Sequence, residues 1–123
     1  MECFETERPV LTLTLYDAKK EKKITADFLI DTGFSGYLIS DYEIYSKLNS
    51  VELPVTKKYR TVSGVVEVYS SKVFVEYKGT IISTFLESSP YLDYNLIGRE
   101  LLKNFDLCVY KMRKVCVSLA GNS

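Results

Sequence analysis

Three apolar residues in succession, Phe28, Leu29 and Ile30, run directly into Asp31, and the chain then turns through Thr32-Gly33-Phe34-Ser35-Gly36. An apolar run closed by a charge reads as a buried strand that delivers a carboxylate to its end. The two glycines supply the small, conformationally free residues that a tight turn beside that carboxylate needs. Taken alone, an acid at a strand end is as readily a turn residue or a helix cap as a chemical group. What else the chain carries decides between these.

Most of the usual catalytic side chains are missing or badly spaced. There is no His among the 123 residues, which removes Ser-His and Cys-His nucleophilic catalysis and any His-ligated metal. The three cysteines, Cys3, Cys108 and Cys116, have no metal-ligand spacing, and their odd number argues against a disulfide framework. All three read as small apolar core or surface residues. A four-residue turn at Lys111–Lys114 would pair Cys108 with Val117 and put Cys108 and Cys116 on opposite faces. No cofactor and no metal is expected. Carboxylates, hydroxyls and lysines remain as the chemical groups.

Charge and length narrow the partners. Lys+Arg and Asp+Glu are 16 each, for a formal net charge of +0, so there is no basic face of the kind that holds nucleic acid. No apolar run approaches the roughly 18 residues of a membrane span. The start, Met1-Glu2-Cys3-Phe4-Glu5, is acidic and lacks the regions of a signal peptide, so a cytoplasmic location is expected. The length predicts one domain over residues 1–123, and 46% hydrophobic residues suffice for a core.

Along the chain the pattern is short strands. Residues 1–8 read as a loose arm or an edge strand. Val10–Leu15 alternates apolar and polar, and Ile24–Ile30 returns across a charged turn and delivers Asp31. Tyr37–Ile39 is a further strand. Ser40 or Asp41 then caps a helix over Tyr42–Leu48. Val55–Val62 and Val65–Tyr69 flank Ser63-Gly64, a two-residue hairpin signal. Val73–Tyr77 and Thr80–Leu86 form a second hairpin across Lys78-Gly79. Leu96-Ile97 approaches Gly98, and Arg99–Phe105 has helical spacing with Leu101, Leu102 and Phe105 on one side. Leu107–Tyr110 and Val115–Leu119 close the chain as a last hairpin. The fold class expected is mainly β, a small closed β-barrel with one or two short helices.

Two of these stretches, Phe28-Leu29-Ile30-Asp31-Thr32-Gly33 and Leu96-Ile97-Gly98-Arg99, together resemble the retropepsin-like aspartic proteases, closer to the cellular and prokaryotic members than to the viral ones. That family places a glycine-containing hairpin, the flap, between the two motifs, and Ser63-Gly64 falls there. The resemblance spans roughly residues 8 to 110. It implies that Asp31 is catalytic, with Thr32 bonding across a dimer axis and Gly33 leaving room for substrate. It further implies that Ile97, Gly98 and Arg99 back the active-site turn. Ser63, Gly64 and Val65 would form the flap, and Phe34 with Val65 would line apolar side-chain pockets. Viral members carry an acid where this chain has Ser35, and that acid pairs with the arginine matching Arg99. Here Arg99 needs another partner. Read without the resemblance, Gly98 with Leu101-Leu102 is an ordinary helix start, and Ser63-Gly64 an ordinary hairpin tip.

Aspartic proteases use two carboxylates that share one proton, because like charges so close cannot both ionise. No nucleophilic His, Ser or Cys is required, in keeping with a chain that lacks His. Only one Asp-Thr-Gly is present. The implied enzyme is therefore a homodimer that hydrolyses a peptide or protein substrate, with one Asp31 from each subunit. The other implied class is a non-catalytic relative, a peptide-binding or dimerisation module on the same barrel.

Overall fold

A computed structural model describes residues 1–54, 57–62 and 64–120. In chain order it contains β1 (Glu2–Glu5), β2 (Val10–Asp17), β3 (Lys23–Ile30), β4 (Leu38–Ile39), α1 (Tyr42–Leu48) and β5 (Lys57–Thr61). There follow β6 (Gly64–Tyr77), β7 (Thr80–Ser88), β8 (Leu96–Ile97), α2 (Arg99–Leu102), β9 (Phe105–Tyr110) and β10 (Lys114–Leu119). The mainly β reading with two short helices holds.

Alternation along β2 is what turns these strands into a shell. Leu11, Leu13 and Leu15 are fully buried, while the residues between them face outward or sit half-buried. They pack against Phe28, Val73, Val75, Leu86, Ile97 and Leu101 in one continuous core. Each such side chain removed from water contributes about 2 kcal/mol. The main sheet runs β2-β3-β8-β4-β7-β6-β5, and β6 pairs back onto β2 through Thr14↔Glu76 to Asp17↔Val73. The sheet is thus ring-like, with β5 hanging from β6 outside the ring. A separate sheet, β1-β10-β9, brings the two ends of the chain together and feeds Val115 and Val117 into the same core.

Two turns follow the sequence closely. At Lys78-Gly79 both residues adopt positive φ (50° and 82°), the geometry of a primed two-residue hairpin, and Tyr77 pairs with Thr80. Helix α1 is capped by Asp41, not Ser40: its carboxylate accepts from the Ile44 amide at 2.9 Å.

Three expectations are corrected. Arg99–Phe105 is not one helix: α2 ends at Leu102, and Phe105 starts β9 because it pairs with Leu119 and buries its ring against Tyr77. The last hairpin closes over three residues, since Lys111 and Met112 take positive φ (51° and 59°) and Tyr110 pairs with Lys114. That slip of one residue sets Cys108 opposite Cys116, on the same face. Finally, the cysteines are not all free: Cys3 pairs with Cys116 across β1 and β10, their Cα atoms 4.0 Å apart, and the two form a disulfide. The odd count misled because the third cysteine, Cys108, keeps its thiol. No helix among the described residues is long and apolar enough to cross a membrane. The strand expected over Val55–Val62 is β5 from Lys57 on; Val55 and Thr56 lie outside the described residues.

The disulfide joins residues 113 positions apart, so it removes much of the freedom of the unfolded chain. Reduction is expected to lower stability by about 2–5 kcal/mol in urea unfolding. The Cys3→Ser protein should show the lower value with or without reductant.

Asp17 gives a second check, on pH. It is buried at the end of β2, where its Oδ1 accepts from the Glu21 and Lys22 amides at 2.7 and 2.9 Å. The Lys22 N–H is the main influence holding its pKa below the usual 3.8; burial opposes this, and the Ser50 hydroxyl and Glu21 amide add to it. A lowered folded-state value means the ionised carboxylate favours the fold above the ordinary carboxylate range, and that contribution is lost as pH falls through it. Asp17→Asn should cost about 1 kcal/mol at neutral pH. The gap to wild type should close in strong acid, read as urea midpoints across pH.

Candidate active site

The two-residue strand β8 lies between β3 and β4. It is parallel to β3 through Leu29↔Leu96 and Ile30↔Ile97, and antiparallel to β4 through Leu38↔Ile97 and Ile39↔Leu96. The chain that leaves β3 at Asp31 and re-enters at β4 must therefore pass around the end of β8. Backbone hydrogen bonds lock this crossing. The Asp31 amide donates to the Ile97 carbonyl at 3.0 Å and the Gly98 amide to Tyr37 at 2.8 Å. The Arg99 and Glu100 amides, free at the start of α2, donate to the carbonyls of Phe34 and Gly36 at 2.8 and 3.0 Å.

Gly98 is required by space, not by backbone angle. A Cβ there would sit 2.2 Å from the Gly36 carbonyl oxygen and 2.7 Å from the Phe34 ring. The two glycine-bearing stretches of the sequence are thus in direct contact. Their contact sets the loop that carries Asp31.

The Asp31 side chain is half-buried, and its Oδ1 accepts from the Gly33 amide at 2.9 Å. A cleft of about 340 Å³ opens beside it. Asp31, Gly33 and Phe34 line it from the loop, Tyr59 and Val66 from the β5–β6 hairpin, and Tyr94 from the segment before β8. Asp31 is the sole carboxylate among the described residues lining this cleft. The remaining walls are largely apolar or aromatic, with Ser35 and Arg60 among the lining residues as well.

Of the other residues singled out above, Thr32 is exposed at the turn, while Ile97 and Gly98 are buried behind it. Arg99 is exposed and engages the loop through its amide, and its guanidinium makes no ion pair among the described residues. The neighbouring Glu100 pairs with Lys103 at 2.8 Å. Gly64 and Val65 stand exposed at the hairpin tip. Val65 borders a groove with Tyr91 and Tyr94 that continues from the Asp31 cleft, and it does not line the cleft itself. Ser63 lies outside the described residues.

Sequence reasoning passed over Tyr59 and Asn95. Asn95 ties three elements together: its carbonyl accepts from Leu29 at 2.9 Å, its Oδ1 accepts from the Asp41 amide at 3.0 Å, and its Nδ2 donates to the Asp27 carbonyl at 3.2 Å. The one available signal was a lone amide side chain immediately before an apolar pair.

Among solved structures, a retropepsin-like aspartic protease from Rickettsia conorii is similar with a TM-score of 0.57 at 20% identity, over 98% of this chain and 95% of its own. An EIAV protease in complex with the inhibitor HBY-793 gives a TM-score of 0.56 at 22% identity, over 79% of this chain and 86% of its own. Neither a protein-family model nor a curated protein matches the sequence. The chain has the fold of the retropepsin-like aspartic proteases.

The packing at Gly98 is open to a direct test. Gly98→Ala drives a methyl into a backbone carbonyl that cannot move without breaking the loop, and should cost about 3 kcal/mol in urea unfolding. The same change at Gly79, where nothing lies within 4 Å of the added carbon, should show only the smaller strain of its positive φ.

Proposed function

We propose that this chain is one half of a homodimeric aspartic endopeptidase, with Asp31 of each subunit forming the catalytic pair. The observation that carries the reading is Asp31, the one carboxylate among the described residues lining a largely apolar cleft, held by the Gly33 amide on a retropepsin-like fold. The two solved proteins of similar fold described above are both named as proteases. One carboxylate cannot do both halves of the reaction. Two can.

In the proposed reaction the ionised Asp31 takes a proton from a water molecule, and the water oxygen bonds to the carbonyl carbon of the scissile peptide. The protonated Asp31 of the second subunit gives its proton to the carbonyl oxygen, producing a neutral tetrahedral diol. Collapse of the diol returns a hydroxyl proton to one carboxylate. The C–N bond breaks as the other carboxylate, now protonated, passes its proton to the leaving amine. Protons balance, and no covalent intermediate forms. In this reading Thr32, exposed at the turn, faces the second subunit, and Gly33 leaves the carboxylate accessible. The hairpin bearing Gly64 and Val65 covers bound peptide. Phe34 contributes to an apolar pocket, so cleavage is expected between apolar residues.

Cleavage of an apolar peptide library at acid pH, with and without pepstatin, tests the proposal. Wild-type protein should cleave, pepstatin should inhibit, and Asp31→Asn should lower kcat by at least about a thousandfold. Equal cleavage by Asp31→Asn would remove Asp31 from the mechanism. Absence of cleavage by wild type, with retained peptide binding, would favour the non-catalytic binding module. Ultracentrifugation should give a dimer, and a strictly monomeric active protein would overturn the shared pair.

A further inference from the structure

Glu87 is a wholly buried carboxylate that the chemistry above does not use. Its backbone lies in β7 between Ile39 of β4 and Ser70 of β6, and its carbonyl accepts from the Ser40 amide at 3.0 Å. Its side chain reaches β5. Oε1 accepts from the Tyr59 hydroxyl at 2.5 Å, and Oε2 lies 3.5 Å from Nζ of Lys57. Lys57 and Tyr59 are two apart on one strand, so both fall on the same face of it. Among the described residues Oε2 has no hydrogen-bond partner, and Lys57 meets it as an ion pair.

Burying a carboxylate costs several kcal/mol unless it is well paired, and a leucine in its place would satisfy the core more cheaply. What the carboxylate supplies is a hold on β5. Among the described residues that strand pairs with β6 alone and hangs outside the ring, so its other edge has no strand beside it. Through Tyr59 the hold continues into the site. The Tyr59 ring packs edge-on against Phe34 with centroids 5.7 Å apart, and both rings line the Asp31 cleft. Oε1 of Glu87 also lies 3.2 Å from the space beside Gly36 in the loop that carries Asp31. One buried oxygen thus borders both the hairpin and the catalytic loop. Burial, then Glu87, raises the Tyr59 pKa, so the phenol stays a donor.

We propose that Glu87 is a positioning residue: through the Tyr59 hydroxyl it fixes the β5–β6 hairpin against the Asp31 loop and so sets the affinity of the cleft for peptide. This rests on the reading of the cleft as a peptide site. Tyr59→Phe removes the hydroxyl and keeps the ring. It should raise amide hydrogen exchange across residues 57–62 and 64–68 by about tenfold, with β2 and β9 unchanged. KM for an apolar peptide should rise by about tenfold while kcat stays within about twofold. Glu87→Gln keeps an acceptor for Tyr59 and should fall between wild type and Tyr59→Phe, and the double variant should be no worse than Tyr59→Phe.

Unchanged exchange in Tyr59→Phe would overturn the hold. Raised exchange with unchanged KM would overturn the positioning role. If wild type cleaves nothing, the protease reading is what fails. Exchange together with the Kd for an uncleaved apolar peptide then decides the proposal, with the same tenfold weakening expected.

Discussion

Everything at the candidate site depends on the interlock between the loop leaving β3 and the segment leaving β8. Backbone amides of Gly98, Arg99 and Glu100 donate to carbonyls at Tyr37, Phe34 and Gly36, and Ile97 takes the Asp31 amide in return. Such bonds need the two backbones to run in close contact at residue 98. A Cβ there would lie 2.2 Å from the Gly36 oxygen, which leaves that place to glycine alone. The result is an Asp31 whose backbone is anchored by main-chain bonds and whose Oδ1 is held by the Gly33 amide.

Fixing the loop in turn requires a shell that does not shift beneath it. The ring formed by β2 pairing with both β3 and β6 supplies that shell: β2 is bonded to β3 along Val10–Tyr16 and to β6 along Thr14–Asp17. The hairpin β5–β6 differs: its inner part belongs to the ring and its outer part extends beyond. A segment of this kind is free to move unless a side chain restrains it. The Tyr59–Glu87 contact occupies that position in the structure.

Much of this was legible in sequence because it is local. The apolar run into Asp31, the alternation of Val10–Leu15, the Asp41-capped helix and the Lys78-Gly79 turn are each set by residues within a few positions of one another. What was not legible comes from contacts made at a distance. Phe105 looks helical beside Leu101 and Leu102, yet its burial against Tyr77 and its pairing with Leu119 draw it into β9. Ser70, Ser71 and Lys72 read as a break between two strands. In the structure β6 runs through them without interruption, and both serines are buried. Lys111 and Met112 give no signal of a left-handed backbone, so the last hairpin slipped by one residue and hid the Cys3–Cys116 pairing. Glu87 ended the expected strand at Leu86, because nothing in the local pattern marks a carboxylate as buried. Of the site itself, the Asp31 and Gly98 stretches carried their own signature. The hairpin residues facing Asp31, Tyr59 and Val66, did not.

The proposed pair of carboxylates also constrains where a second chain can sit. Two groups that share a proton lie about 3 Å apart, so the two-fold axis must pass beside Asp31. The residues then nearest the partner are those exposed at the same turn, Thr32, Gly33 and Ser35, with Arg99 close by through its amide bond to Phe34. The terminal strands tell a different story. β1 and β10 pair with each other and are joined covalently inside one chain, so β10 has a neighbour on each side and cannot accept a strand from a partner. Only the outer edges of β1 and β9 remain for that purpose. In the proposed dimer the active-site turns therefore carry contact that a central terminal strand, once paired within its own subunit, is no longer able to supply.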